Sequence, residues 1–365
     1  MRSSGWQLFR FGFVYFNSQA TTFLVPALYS GEPYQGWAGI LGGTAVSLLL
    51  LAAMMYTARA KPGEEWIRFG KEVTGRWVHG LLVVLLLLWG VYYASSDIEN
   101  FVLFFGSNYL RETPHWFIQA AITVVIIFTA QLGRVTIIYM TDGLFVIIAA
   151  VTVFTLCMFM QTADFRMLPA VFHHFDLKTT ATHTLTVASW FSEWIVFLFI
   201  GPQLLQQKGA FKKLAAVQLT IMLSVLLGWL LTLLNFGPYL AREMQFPYLG
   251  TVRATAQRGA LNLDPLLIGL WASSMLIHSS FVIYIASRCV KYFIKNRGSG
   301  YVIPLLGIGA FAIAALYSRN IERYMKDYYS MWLIWVWIGF EFIPALYALL
   351  LRIRRKKERP AGAQD

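Results

Sequence analysis

The sequence predicts an all-α integral membrane protein of about ten transmembrane helices, and three observations predict it. The 365-residue chain is 58% hydrophobic and only 13% charged, more apolar surface than a water-soluble fold of this size can bury. Long stretches such as Gly143 to Ala163 and Leu214 to Leu234 carry no charge at all, and roughly 20 residues rising about 1.5 Å each cross a hydrocarbon core of about 30 Å. These stretches are continuously apolar and lack the period-two alternation of a barrel strand, so helices are left to satisfy the backbone in lipid.

The spans fall near residues 7–28, 37–57, 80–106, 116–132, 136–160, 184–205, 213–238, 263–287, 300–318 and 329–351. The first carries Asn17, Ser18, Gln19, Thr21 and Thr22 in its middle. No cleavable signal peptide has such a core, so this span is expected to stay in the mature protein. The second opens on Gly36-Trp37 and the third carries Asp97 and Glu99 in its second half. The fourth is uncharged and the fifth contains Asp142. The sixth holds Glu193 ahead of Gly201-Pro202, the seventh ends at Gly237-Pro238 and the eighth holds His278. The ninth is uncharged, and the tenth carries Glu341. The longest polar connections, near 58–79, 161–183 and 239–262, are too short for a core of their own. One transmembrane domain is expected over residues 1–365, with a basic cytoplasmic tail at 352–365.

Lys and Arg set the orientation once the spans alternate sides. Arg59, Lys61, Arg68, Lys71, Arg76, Arg134, Lys208, Lys212, Lys213, Arg288, Lys291 and the tail from Arg352 onward fall on the side of the N-terminus. Both termini are therefore expected in the cytoplasm. The net charge of +12 is accounted for by this asymmetry and by attraction to anionic membrane lipids, so nucleic-acid binding is not invoked. Cys157 and Cys289 stand apart with no CxxC spacing, which argues against disulfide or metal roles. The chain has no nucleotide-binding glycine loop, no metal-ligand cluster and no serine elbow, so neither a cofactor nor enzymatic chemistry is expected.

Function in a membrane is sought among residues that are costly there. Asp97, Glu99, Asp142, Glu193, His278 and Glu341 are the ionisable groups within or near the spans, each a site candidate by default. Some of them can equally lie near an interface or pair structurally, Glu99 above all. Three spans also carry polar breaks: Asn17 to Thr22 before Pro26 in the first, Ser189-Trp190-Phe191-Ser192-Glu193 before Gly201-Pro202 in the sixth, and Trp271, Ser273, Ser274, His278, Ser279 and Ser280 in the eighth. Ser274 and His278, four apart, share a helical face, and Tyr93, Asp97 and Asn100 share another. Small and hydroxylated residues also permit close helix packing in lipid; with an acid and a histidine among them, they point to a polar cavity. Spans one and six hold corresponding places in two groups of five. That is the layout of a LeuT-like five-plus-five inverted repeat with helices 1 and 6 interrupted.

The segment Trp190-Phe191-Ser192-Glu193-Trp194-Ile195-Val196-Phe197-Leu198-Phe199 resembles the sixth-helix pattern of the B subunits of bacterial spore germinant receptors, the GerAB type. The run Gln245-Phe246-Pro247-Tyr248-Leu249, followed by Asp264 and Trp271, is similar to that family's connection between helices seven and eight, and Pro26 before Gly36-Trp37 also fits. The resemblance covers nearly the whole chain. It implies a fold of the amino acid/polyamine/organocation transporter superfamily and a receptor subunit in the spore inner membrane. That subunit would bind a small germinant, commonly an amino acid, and work with an A subunit (a membrane protein) and a C subunit (a lipoprotein). The family's first helix has glycines where this chain has Gln19 and Thr21, a departure that narrows the pocket and adds hydrogen-bonding groups.

The expected ligand-binding residues are Ser18, Gln19, Thr21, Thr22, Tyr93, Asp97, Ser192, Glu193, Trp271, Ser274 and His278. A zwitterion's carboxylate would meet backbone N–H groups around Ser18 to Thr22, and its ammonium would meet carbonyls of the span-six break or Glu193. A proton- or sodium-coupled amino-acid permease shares this fold and pocket and is the alternative reading.

Overall fold

The computed structural model describes residues 5–173, 175–257, 264–294 and 299–358, with the side chains of Gln19, Thr21, Gln257, Ser299, Lys356, Lys357 and Glu358 outside that description. All ten expected spans are helical. In chain order they are α1 (Gly5–Gln19), α2 (Gly36–Ala58), α3 (Arg76–Asn108), α4 (His115–Gln131), α5 (Gly133–Thr162), α6 (Leu177–Phe191), α7 (Ala210–Glu243), α8 (Asp264–Ile294), α9 (Ser299–Tyr317) and α10 (Met331–Glu358). Seven of these, α2, α3, α5, α7, α8, α9 and α10, contain segments long and apolar enough to cross a membrane unaided. The other three are α1 and α6, which are interrupted, and α4, which is 17 residues long.

Each interruption has a local cause. α1 passes into a π-helical turn at Ala20–Leu24 and then Val25–Ala27. Pro26 has no N–H to give and its ring crowds the preceding turn, so the α ladder cannot run through it unbroken. α6 stops at Phe191. Ser192 leaves helical geometry (φ −114°, ψ 19°), a 3₁₀ stretch runs over Glu193–Phe199, and Gly201 at φ 114° turns the chain into Pro202–Leu205. α7 is kinked where Gly237 (φ 73°, ψ 169°) precedes Pro238.

The α6 break is buried, so its freed groups need partners. α2 supplies them: Ser47 Oγ donates to the Phe191 carbonyl at 2.6 Å, and Trp194 Nε1 donates to Ser47 Oγ and to the Ser47 carbonyl at 2.9 and 3.0 Å. Ser47→Ala should therefore destabilise the protein by about 1–3 kcal/mol, the cost of leaving a buried carbonyl unpaired, as thermal unfolding in detergent would register.

Glycines bring α2 against α6. A Cβ at Gly39 would sit 2.3 Å from His183 Cβ, and one at Gly43 would sit 2.5 Å from Val187 side-chain atoms and 2.8 Å from the Ala188 amide nitrogen. Backbones this close gain dispersion contacts that lipid cannot replace. Gly43→Ala is expected to push the two helices apart at a cost of about 1–3 kcal/mol, read as a lower unfolding midpoint.

Several connections contain short helices. The charged stretch Arg319 to Asp327 includes an eight-residue helix, Ile321–Tyr328, because Asn320 Oδ1 caps it by accepting from the Arg323 amide at 2.9 Å while Tyr324 and Tyr328 are buried. Pro247 opens a second short helix, Pro247–Gln257, between α7 and α8, where proline's fixed φ suits a first turn. Between α2 and α3, Trp66–Thr74 lies on the bundle. There His79 Nδ1 and the Tyr347 hydroxyl are 2.7 Å apart, and Nε2 lies 3.0 Å from the Ile67 carbonyl.

Candidate functional site

The polar breaks and the ionisable residues meet where α1, α3, α6 and α8 cross. His278, on α8, stands between two carboxylates: Nδ1 is 2.7 Å from Asp97 Oδ2 on α3, and Nε2 is 3.0 Å from Glu193 Oε2 at the α6 break. Ser279 Oγ also donates to Asp97 Oδ2 at 2.7 Å. Tyr15 donates to Glu193 Oε2 at 2.7 Å and Tyr93 to Oε1. The Tyr15 ring lies 4.5 Å from the His278 ring, centroid to centroid, at 37°. All of these groups are buried. Helical spacing explains the convergence: Tyr93 and Asp97 are one turn apart on α3, and the α6 break turns Glu193 inward.

A separate cavity of about 60 Å³ lies alongside, lined among others by Asn17, Thr22, Phe104, Phe246, Tyr248 and Trp271. It draws on α1 and its π turn, α3, α5, α8 and the Pro247–Gln257 helix. Two polar atoms of its lining residues are buried without a hydrogen-bond partner among the described residues: Asn17 Oδ1, an acceptor, and Trp271 Nε1, a donor. Unpaired buried polar atoms cost about 1–3 kcal/mol each, and a cavity wall is where a ligand or water satisfies them. The rest of the wall is mainly apolar and aromatic, with Trp271 packed on Phe104 at a centroid distance of 4.3 Å.

The expected site residues thus divide. Thr22 and Trp271 line the cavity; Tyr93, Asp97, Glu193 and His278 form the buried network. Ser18 Oγ is spent on the Tyr15 carbonyl at 2.7 Å, and Ser274 Oγ on the carbonyl of Val14. Ser192 Oγ is buried and unpartnered beside Glu193. Gln19 and Thr21 side chains lie outside the described residues. The Phe191 carbonyl, one of those expected to face an ammonium, is occupied by Ser47 instead.

The remaining ionisable candidates have local partners. Glu99 accepts from Gln119 Nε2 at 2.7 Å and Ser318 Oγ at 2.8 Å, a structural tie from α3 to α4 and the end of α9. Asp142 accepts from Arg10 at 3.1 Å at a half-exposed position between α1 and α5. Glu341, buried, faces the α6 break with Oε2 3.5 Å from the Ile195 amide nitrogen.

Sequence reasoning passed over Tyr15, Phe246 and Tyr248 as site residues. Tyr15 had a weak signal, since it lies one turn before Ser18 and Gln19 and so on the face of the polar patch. Tyr248 comes from a connection whose path no periodicity reveals. Also missed was Glu65, which bonds at once to Arg134 on α5 and Arg288 on α8.

Residues 14–322 match the sequence profile of the family described as Spore germination protein. The chain is 22% identical over 332 residues to spore germination protein GerQB of Bacillus cereus, across 87% of this chain and 86% of that one. It is 20% identical over 299 residues to spore germination protein XB of Bacillus anthracis, across 80% and 82%. Among solved structures it superposes on Mhp1, a nucleobase-cation-symport-1 family transporter in a closed conformation with bromovinylhydantoin bound. The TM-score is 0.66 at 11% identity, covering 85% of this chain and 71% of that one. MhsT in complex with L-phenylalanine gives a TM-score of 0.63 at 12% identity, covering 96% and 88%. At these identities the structural likeness bears on fold alone, and the fold is the transporter-like one expected from the broken first and sixth helices.

Proposed function

The chain belongs to the spore germination protein family, and from that premise we propose that it is the germinant-sensing membrane subunit of a spore germination receptor, binding a small germinant in the cavity beside the α1 break. The observation that carries this reading is the pair of unsatisfied buried atoms there. Asn17 Oδ1 can accept from an ammonium or N–H, and Trp271 Nε1 can donate to a carboxylate or carbonyl. A ligand presenting both groups around an apolar body fits such a wall, which points to an amino acid with an apolar side chain. Receptor partners, an A subunit in the membrane and a lipoprotein C subunit, and residence in the spore inner membrane with cytoplasmic termini belong to the same proposal.

The π turn at Ala20–Leu24 makes the site responsive. A π turn has irregular hydrogen bonding and so costs less to rearrange than an α turn, and Thr22 inside it touches the cavity. Ligand contact there would change the path of α1, which also carries Tyr15 into the buried network. Sensing requires that the ligand prefer one of two such arrangements.

The test is thermal stability of the purified protein against a panel of amino acids, with uptake into proteoliposomes measured in parallel. Saturable stabilisation without uptake is expected. Trp271→Phe, which removes the N–H and keeps a ring, should weaken that response about tenfold, one hydrogen bond's worth, measured as the ligand-induced shift relative to the variant's own unliganded midpoint. Concentrative uptake driven by a proton or sodium gradient would replace the receptor reading with a permease, which the fold shared with Mhp1 and MhsT favours as the alternative.

A further inference from the structure

We propose that the cavity beside Ile321–Tyr328 binds one membrane phospholipid whose headgroup carries a phosphate and a primary ammonium. The cavity, about 750 Å³, lies between the end of α9, the helix Ile321–Tyr328, the start of α10 and Tyr92 of α3. Its depth in the membrane follows from α9. The 19 residues of that helix, rising about 1.5 Å each, extend about 28 Å, close to the thickness of the hydrocarbon core. Tyr317, the last of them, therefore stands at the boundary between hydrocarbon and headgroups.

The walls change character across that boundary. Leu316, Trp332 and Leu333 belong to the two spanning segments, whereas Asn320, Arg323, Asp327 and Ser330 belong to the connection between them. Leu316 and Trp332 are exposed, as is Trp335 one turn further along α10, so the apolar end of the cavity is continuous with surface that meets lipid. Tyrosines fill the level between, where amphipathic rings are favoured. A wall that is apolar at one end and charged at the other fits an amphiphile; a wholly polar solute would leave Leu316 and Trp332 uncovered. The floor is already in place. Tyr324 stacks on Tyr317 at a centroid distance of 4.8 Å and donates to Asn100 Oδ1 at 3.0 Å, and Asn100 Nδ2 donates to the Tyr328 hydroxyl at 3.0 Å. Binding need not order it.

The rim selects the headgroup. Arg323 Nε and Asp327 Oδ2 are 3.8 Å apart, one turn apart on the same helix, with side chains 79% and 67% exposed. That separation is too long for a hydrogen bond, and so exposed a pair contributes little by itself. A headgroup bearing both signs satisfies each member better than they satisfy one another. Phosphate oxygens accept from the guanidinium, and a primary ammonium donates to the carboxylate, as a quaternary ammonium cannot.

The position has a consequence for the break in α1. Tyr329, the residue after this helix, donates its hydroxyl to the Phe23 carbonyl at 3.1 Å, inside the π turn. The Phe23 ring lies 6.2 Å from that of Tyr328, which lines the lipid cavity. A lipid held there bears on the turn that meets the germinant cavity; this coupling rests on the receptor reading, whereas the lipid site does not.

Native mass spectrometry of the delipidated full chain, titrated with phosphatidylethanolamine, phosphatidylcholine and phosphatidylglycerol of identical acyl chains, tests the site with no germinant present. One phosphatidylethanolamine is expected to bind about tenfold more tightly than either of the others. Asp327→Asn should erase the preference over phosphatidylcholine, and Arg323→Gln should weaken the site for all three lipids. Arg319→Gln, an exposed neighbour outside the cavity lining, should change neither. Equal binding of the three lipids, tighter binding of phosphatidylglycerol, or a preference that survives both cavity variants would overturn the proposal. So would displacement of the lipid by an equal concentration of chainless phosphoethanolamine, since that would make the occupant a free zwitterion. Failure of this test leaves the cavity beside the α1 break as it stands, and a failed germinant panel leaves the lipid titration unaffected.

Discussion

Glu65→Ala is expected to destabilise the protein by on the order of 3 kcal/mol and to loosen the end of the bundle that carries the N-terminus. Glu65 sits in the connection between α2 and α3, at the N-terminus of Trp66–Thr74, and its two carboxylate oxygens bond separately to Arg134 at the start of α5 and Arg288 late in α8. Its side chain is 16% exposed, and those of the arginines 29% and 24%. One carboxylate thus ties three elements together, and its removal leaves two arginines close together without the carboxylate that stands between them. A cavity of about 440 Å³ lined by Gln7, Arg68, Arg134, Tyr139 and Gln203 adjoins this tie, so water has a direct path to the freed charges. Hydrogen exchange in α5 and α8 near those arginines should rise in the variant, and unfolding in detergent should shift to lower temperature.

The same tie predicts a pH dependence. Burial alone would raise the Glu65 carboxyl, but the hydrogen bond and charge of Arg134 and the charge of Arg288 outweigh it and hold the group below the ordinary carboxylate range. A carboxyl lowered in the folded state contributes stability that is complete above its unfolded value of about 4.3. That contribution is lost as pH falls through the lowered folded value. Wild type should therefore lose stability below about pH 4 by an amount that Glu65→Gln lacks. Equal acid sensitivity of the two proteins would show that the tie contributes nothing.

Most of the fold was legible because lipid makes the sequence speak plainly: an uncharged stretch of twenty residues has few alternatives to a spanning helix. The interruption of α6 was legible for the same reason, since Ser192, Glu193 and Gly201-Pro202 are out of place in a continuous apolar helix. What was not legible is how the polar residues are shared out. Ser18 and Ser274 look like ligand contacts in sequence, yet each is consumed by a carbonyl of α1, because a short hydroxyl finds a backbone acceptor within its own turn or across a tight helix contact. Ser47, in a span with no acidic or basic residue, gives no sign that it holds the α6 break, for that role depends on the depth at which α2 and α6 meet. The cavity's lining by Phe246 and Tyr248 depends on how Pro247–Gln257 folds back on the bundle, a long-range fact. His278 was visible as an oddity; that Asp97 and Glu193 would flank it on opposite ring nitrogens was not.

His278→Leu is the second large effect, expected to cost on the order of 3–5 kcal/mol. The imidazole is 1% exposed and has a carboxylate oxygen on each nitrogen, so leucine would remove the ring that contacts Asp97 and Glu193 at once. The loss is chiefly the penalty of leaving two buried carboxylates without it, and a double-mutant cycle separates that penalty from lost packing. Asp97→Asn alone should cost less than His278→Leu, because Ser279 still donates to the amide oxygen and Glu193 still faces the ring. Combining Asp97→Asn with His278→Leu should be less damaging than the sum of the two by about 1–3 kcal/mol, since one stranded charge has been removed along with its partner. Glu193→Gln with His278→Leu should show a coupling of the same sign, because Tyr15 and Tyr93 remain to donate to the glutamine oxygen. Strict additivity in both cycles would mean that His278 contributes through its shape against Tyr15 and Tyr93 and not through its two carboxylate contacts.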